Sequence, residues 1–427
     1  KDYVMALGLV PISKANPESD LLKRYNLLQT FLKESKQYGA QRQESEKNAV
    51  EIGLDNLARN AGFQDSVRFT WAMERKATQE ILKNSVLEID DLQVQLHVDN
   101  EGKTELLLSR NGKSIKSLPD KYKKNKEIEA LKQGKSYLTK QFSRTKLALE
   151  NSMLRRDEYA LQELEQIMEH PIVNAMLSKL VLYVPGTQQS GFWNDGKLIN
   201  AEGKIFTLKE DAKLVIAHPY DLFEAVQWDL YQRYLFSTAT QQPFKQVFRG
   251  LYVPTSDEIE QLTRSARYQG HQIQPQKTIA LLRGRGWTVS YEEGLQKVFH
   301  KEGYLVTMYA MADWYTPSDV EAPTLELVCF HSLKNNELVP IPAIDPVIFS
   351  EVMRDIDLIV SVAHVGEVDP EASHSSLQMR GVLARESALL FGLKNVEVKE
   401  RHILIKGELG DYSIHLGSGM VSKNGRQ

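Results

Sequence analysis

Five times in this chain an Asn, Asp or His stands directly before a proline that opens an apolar-periodic run. The pairs are Asn16-Pro17, His170-Pro171, His218-Pro219, Asp345-Pro346 and Asp369-Pro370. Proline at the first helical position sacrifices no hydrogen bond, because that N–H would be an orphan anyway, and a preceding Asn or Asp can accept from another orphan donor. The pairs predict helices beginning near residues 17, 171, 219, 346 and 370. Asp65, ahead of Val67-Arg-Phe-Thr-Trp71, predicts a further start without proline.

Gly39 and Gly62 divide residues 17–85 into three helices. Leu21, Tyr25, Leu28 and Leu32 form one apolar stripe, and Val50, Leu54 and Leu57 another. The period then changes to two. Leu92-Gln-Val-Gln-Leu-His-Val98 and residues 104–109 read as strands, with Asp99-Asn-Glu-Gly102 as turn, in a β-hairpin near 86–117. From 121 to 169 the text is helical and free of proline. It predicts either one long arm or a helical hairpin bent around 151–157. Its first part is basic: residues 116–146 carry ten Lys or Arg against three carboxylates.

Beyond residue 180 the style turns to short strands and single helices. Strands are expected at 180–184 and 213–217, followed by an aromatic-rich helix over 219–236 and another over 275–285. Strands at 295–300, 304–313 and 324–331 suggest an antiparallel set. The helix from Pro346 is expected to lead into Asp357-Leu-Ile-Val-Ser-Val-Ala363 as a strand buried on both faces. A helix over 371–391 and a meander over 396–399, 402–408 and 410–417 complete the reading. The fold class is α+β: a mainly helical region over 1–180 with an inserted hairpin and a long basic helix, then a mixed domain over 181–427 with a largely antiparallel sheet. Asn424-Gly425 is a hairpin signal with no second strand after it, so the chain is expected to be an excerpt truncated in its C-terminal meander.

At 427 residues the chain exceeds one compact core, and roughly two or three domains are expected. Fifty-three basic against 56 acidic side chains do not make a polycation built for nucleic acid. A single cysteine, Cys329, can form neither an internal disulfide nor a thiolate zinc cage; in an apolar strand, it is expected to be buried and inert. No apolar run is long enough to span a bilayer and no secretory signal opens the chain. A cytoplasmic protein is expected. There is no Gly-x-Ser-x-Gly elbow, Walker loop, His-Glu-x-x-His or Rossmann glycine pattern, which disfavours the enzymes carrying those signatures.

Several constellations could carry chemistry. His364, Asp369, Glu371 and His374 lie within eleven residues, at the expected end of a central strand, with Arg380 two turns on. They could ligate a metal (through His364 and His374) or hold an anion at a helix N-terminus, or simply cap that helix. His415 and Ser418 leave a strand beside glycines and could meet a phosphate, though a strand histidine is also ordinary core. Arg264, Arg267, His271, Lys277, Arg283, Arg285 and Trp287 interleave cations with aromatics, as phosphate and base contacts require. Nearby carboxylates could equally absorb those charges. Glu351 and Asp355 share a helix face that Arg354 can neutralise, and they read as a surface cluster.

Motifs in order along the whole chain resemble the large bacterial MolR-like proteins, which carry a long domain of unknown function. They are Gln37-Tyr-Gly-Ala-Gln-Arg-Gln43, Ala217-His-Pro-Tyr-Asp221, Gln242-Pro-Phe-Lys-Gln-Val-Phe-Arg249, Gly270-His-Gln-Ile-Gln274, Val362-Ala-His-Val-Gly366 and Ile414-His-Leu-Gly-Ser418. The resemblance implies a cytoplasmic, multidomain bacterial protein, and some relatives are encoded beside MoxR-type ATPases. It brings no reaction and no catalytic residue. Some relatives carry a Trp-Gly-Arg-type module; no Trp-Gly-Arg tripeptide occurs here, so nucleic-acid binding by that module does not transfer.

The leading expectation is a binding or regulatory module that works with an ATPase or another protein partner. A rival is an enzyme or nucleotide-ligand domain with a pocket built from His218, Tyr220, Asp221, Arg267, His271, His364, His374 and His415. A third reading is nucleic-acid binding through 264–287 and the basic helix. Cofactor and reaction stay open.

Overall fold

The computed structural model describes residues 1–99, 103–290, 294–311, 324–363, 370–408, 410–416 and 421–423; for residues 40, 289, 290, 310, 311 and 370–379 it describes the backbone alone. The chain forms two compact units, one of Lys1–Ala217 with Thr240–Gln246, the other of His218–Ala239 with Val247–Gln427. The mixed helical and antiparallel-sheet architecture is α+β. No helix among the described residues is long and apolar enough to cross a membrane.

The first unit opens with helices Asp2–Leu7, Pro17–Glu34, Ala40–Asn60 and Ser66–Lys83. Their starts follow the chemistry anticipated. Asn16 accepts from the Ser19 N–H, and Asp65 accepts from the Arg68 N–H at 2.8 Å. Tyr25, Leu28, Val50, Leu57 and Phe69 bury the facing stripes. The first helix sits so close to the third that a Cβ on Gly8 would lie 2.4 Å from the Gly53 carbonyl oxygen, closer than any side chain tolerates.

A four-stranded antiparallel sheet follows: Val86–Ile89, Leu92–Val98, Thr104–Arg110 and Lys113–Ser114 in sequential order. Leu92, Val94 and Leu96 alternate inward, as a period of two requires. Asn125 caps the 30-residue helix Lys126–Arg155 by accepting from the Glu127 and Ile128 amides. This helix does not project as an arm. Ile128, Leu131, Leu138, Leu149 and Met153 bury one face of it, and Arg144 reaches across to the buried Glu74 carboxylate at 2.6 Å. Arg156, left-handed at φ 55°, ends it within the stretch where a bend was anticipated.

Helices Leu161–Met168 and Pro171–Leu177 come next. A six-stranded sheet then runs Tyr159–Ala160, Lys213–Ile216, Val181–Tyr183, Ser190–Asn194, Lys197–Ile199, Ile205–Thr207 in spatial order. Gln246, fully buried, ties the returning Thr240–Gln246 segment to this sheet. Its amide accepts from the Val181 N–H at 2.9 Å and donates to the Val181 and Ala217 carbonyls at 2.8 Å.

In the second unit the expected 219–236 helix is two helices, Pro219–Glu224 and Trp228–Ser237, parted where Val226 takes φ 54°. Helices Ser256–Gln261 and Pro275–Arg283 lead to a five-stranded antiparallel sheet in the order Arg264–Ser265, Thr324–Ser332, Tyr304–Met311, Gly294–Phe299, Trp287–Ser290. Helix Pro346–Ala363 packs on it through Phe349, Val352, Met353, Ile356 and Ile359. Residues 357–363, expected as a buried strand, are therefore the last two turns of that helix. A short apolar run rich in β-branched residues suits either state locally, and packing of the whole 3.6-period face decides. Helix Pro370–Leu390 and a four-stranded meander, Val396–Val398, His402–Gly407, Gly410–His415 and Val421–Lys423, follow.

Candidate functional site

The second unit holds most of the residues singled out from sequence, and their partners lie within it. His218 caps Pro219–Glu224: its Nδ1 accepts from the Tyr220 N–H at 3.1 Å, while the His218 N–H donates to Asp221 at 2.9 Å. With its Nδ1 lone pair occupied, the ring carries its proton on Nε2, 3.2 Å from Glu351 Oε1. Arg249 grips the same carboxylate with two charge-assisted bonds of 2.6 Å. His218, Arg249 and Glu351 are all within 5 % of full burial. Burial alone would raise the Glu351 pKa; the hydrogen bonds from Arg249 and His218 overcome it and hold the carboxyl well below the ordinary range.

One turn further along the same helix, Asp355 is equally enclosed. It accepts from Arg285, Lys297 and the Trp287 indole N–H, each at 2.9 Å. Glu351 and Asp355 are thus not a surface cluster: each is buried and accepts three hydrogen bonds from other elements, while Arg354 reaches Glu351 only at 3.7 Å and its Nη1 is buried without a hydrogen-bond partner. The Asp355 cluster also withdraws Arg285 and Trp287 from the expected phosphate and base contacts. A 4 % exposed indole cannot stack on a nucleobase.

Most of the other described candidates have partners of their own. Arg267 pairs with Glu258 and donates to the Val253 carbonyl at 2.8 Å. His271 is buried, its Nδ1 3.1 Å from the Tyr268 carbonyl. Tyr220 is half-buried, and Arg264, Lys277 and Arg283 are exposed. Arg380 donates to the Leu416 carbonyl and to Ser361. His415 lies across from His402 in the meander, ring centroids 5.0 Å apart, its pKa pulled down by burial and by the neighbouring His402. His364, Asp369 and Ser418 lie outside the described residues; Glu371 and His374 are on helix Pro370–Leu390, with no side-chain placement. Cys329 is buried, and burial raises its thiol pKa. Among the described residues no group of His, Cys, Asp or Glu could hold a metal ion.

A different site, which the sequence did not mark, lies in the first unit. Helix Ser66–Lys83 and the segment through Leu161–Met168 to His170 border a half-open cleft of about 690 Å³. Arg68, in the first turn, donates to Gln64, Asp65 and the Glu158 carbonyl, with its Nε 2.9 Å from Glu163 Oε1. Arg75, two turns on, pairs with Glu169. Trp71, Phe63 and Ile167 supply apolar wall.

His170 completes the lining. It is 1 % exposed, makes no cap bond, and neither ring nitrogen has a hydrogen-bond partner. Burial pulls its pKa down to about 4, so the ring is neutral at physiological pH. Glu163 Oε2 and Arg68 Nε are likewise buried without a hydrogen-bond partner, and burial raises the Glu163 pKa. Buried polar atoms are nearly always satisfied, and each unmet one costs about 1–3 kcal/mol. In sequence the only hint was a histidine where Asn or Asp would cap better. Arg68, Arg75, Glu163 and Glu169 look like ordinary helix charges until the fold brings them to one cleft.

Three family profiles match parts of the chain. Residues 112–287 match the profile described as Domain of unknown function (DUF4132), residues 1–73 match Family of unknown function (DUF5724), and residues 377–427 match Domain of unknown function (DUF7737). No curated protein and no solved structure matches the chain.

Proposed function

We propose that this chain is a binding or regulatory module and that the cleft of the first unit is where it takes a small-molecule ligand. The observation that carries the reading is His170: a buried ring with two unpaired nitrogens, in the wall of a cleft whose volume suits a small ligand. The carboxylates of Glu351 and Asp355, by contrast, each already accept three hydrogen bonds from the protein. The reading is tested by incubating the whole chain with a bacterial metabolite extract, desalting it, and identifying retained compounds by mass spectrometry. A compound held by the wild type and lost from Ala72→Trp, which fills the cleft, is the expected result. Equal retention by both proteins overturns it.

The motif likeness to MolR-like bacterial proteins supports a cytoplasmic setting and a MoxR-type ATPase as partner, and the three matched families of unknown function are compatible with that likeness. Co-elution of the chain with such an ATPase in size-exclusion chromatography is expected. Separate elution would remove the partner from the proposal.

A further inference from the structure

We propose that the exposed face of helix Lys126–Arg155 binds duplex DNA through its phosphate backbone, independently of base sequence. This surface is distinct from the cleft, and the proposal does not rest on it. The chain carries 53 basic and 56 acidic side chains, so affinity for a polyanion has to come from a local excess. This helix has one. Residues 130–149, about 30 Å of helix, contain Lys132, Lys135, Lys140, Arg144 and Lys146 and no carboxylate. Arg144 is tied to Glu74, and Lys132 stands 3.6 Å from Glu129. Lys140 and Lys146 are exposed and form no ion pair among the described residues, and the same holds for Lys124 and Lys126 at the start of the helix.

The placement of these charges selects the partner. At 3.6 residues per turn, Lys132, Lys135 and Lys146 fall along one edge of the outer face, and Lys126, Lys140 and Arg144 along the other. Between the two rows lie Ser136 and Ser143, exposed and short enough to let a second backbone come close. Rows a helix width apart, about 10–12 Å, match the phosphates that flank the B-DNA major groove, about 12 Å wide. Lysines hold phosphates without reading bases. What the face lacks argues against other partners. Its exposed large apolar area is confined to Leu147 among the described residues, and Tyr137 and Phe142 are half-buried. Protein interfaces are enriched in aromatics and depleted in lysine, and single strands need exposed rings to stack on.

The test titrates the whole chain into a fluorescein-labelled random-sequence DNA duplex and follows polarisation from about 50 to 200 mM salt. A Kd of about 1–10 µM at the lower salt is expected, with a log–log salt slope of about −4, as for four or five neutralised phosphates. Lys140→Glu with Lys146→Glu should weaken binding about tenfold or more and flatten the slope by about 2. The neutral pair Lys140→Gln with Lys146→Gln should lose less, in the same direction. Lys197→Glu with Lys209→Glu makes the same charge change at exposed positions elsewhere in the unit and should leave affinity as it was. Circular dichroism checks that each variant is folded. Absent binding, salt-independent binding, or an equal loss in the Lys197/Lys209 pair overturns the proposal. So does tighter binding of the separated single strand or of an RNA duplex, whose major groove is too narrow for a helix. Tighter binding of polyglutamate overturns it as well, by assigning the face to an acidic protein.

Discussion

Two regions of this molecule bury charge, and they do so to opposite ends. In the second unit Glu351 and Asp355 sit one turn apart on a single helix, and each carboxylate is closed by donors from elsewhere: Arg249 and His218 for one, Arg285, Lys297 and Trp287 for the other. In the first unit Arg68 and Glu163 also lie face to face, yet Arg68 Nε, Glu163 Oε2 and the His170 imidazole are left without hydrogen-bond partners around a cleft. Burial by itself therefore says little about function. Saturated networks hold elements together; unsaturated atoms at a cavity mark a place where something else can bind.

The comparison breaks first if the closed network turns out not to matter. Arg249→Met strands the Glu351 carboxylate in a dry site and should cost about 3–5 kcal/mol, read from urea unfolding followed in the second unit. A loss below about 1 kcal/mol would mean that water already reaches Glu351.

Acid distinguishes the two regions next. The His170 pKa lies near 4 in the fold against 6.5 for a free ring, so the unfolded chain binds the proton more readily. Its stabilising contribution is complete above pH 6.5 and is lost as pH falls toward about 4, reaching about 3 kcal/mol. Urea midpoints measured across that window should fall for the wild type and less steeply for His170→Gln. Glu351 is also held below its free value, but for a carboxylate that favours the charged form, so it stays ionised through the same window.

A smaller effect sharpens the account of the second unit. Trp287→Phe removes one of three donors to Asp355 and keeps the ring, so about 1–2 kcal/mol is expected in thermal unfolding, with the two cations still in place. The smallest change should come from the exposed residues once suspected of phosphate contact. Lys277→Ala together with Arg283→Ala should shift stability by less than about 0.5 kcal/mol. Salt-sensitive nucleic-acid binding that these variants abolish would reopen that reading.

Much of the fold was legible because local rules dominate it. Each of the five residue–proline pairs does precede a helix, and Asn16 and Asp345 cap theirs by accepting from backbone amides two or three residues on. The hairpin strands over 92–98 and 104–110 pair in the register that a period of two demands. Where the sequence misled, a local pattern had two solutions. Residues 357–363 suit a strand until the Phe349–Ile356–Ile359 face is seen against a sheet, and Glu351 with Asp355 suits a surface until Arg249 and Lys297 arrive from distant segments.

The same division holds for the candidate site. Sequence alone determined the α+β character, the helix starts and the alternation of buried strand positions, because caps, turns and periodicity act over a few residues. Only the tertiary structure decided which charges are spent and which are not. Arg68 and Glu163 are ninety-five positions apart and His170 is a further seven away, so nothing local couples them. Their pairing, and the unpaired atoms left over, follow from how two helices and a short strand pack around one cleft.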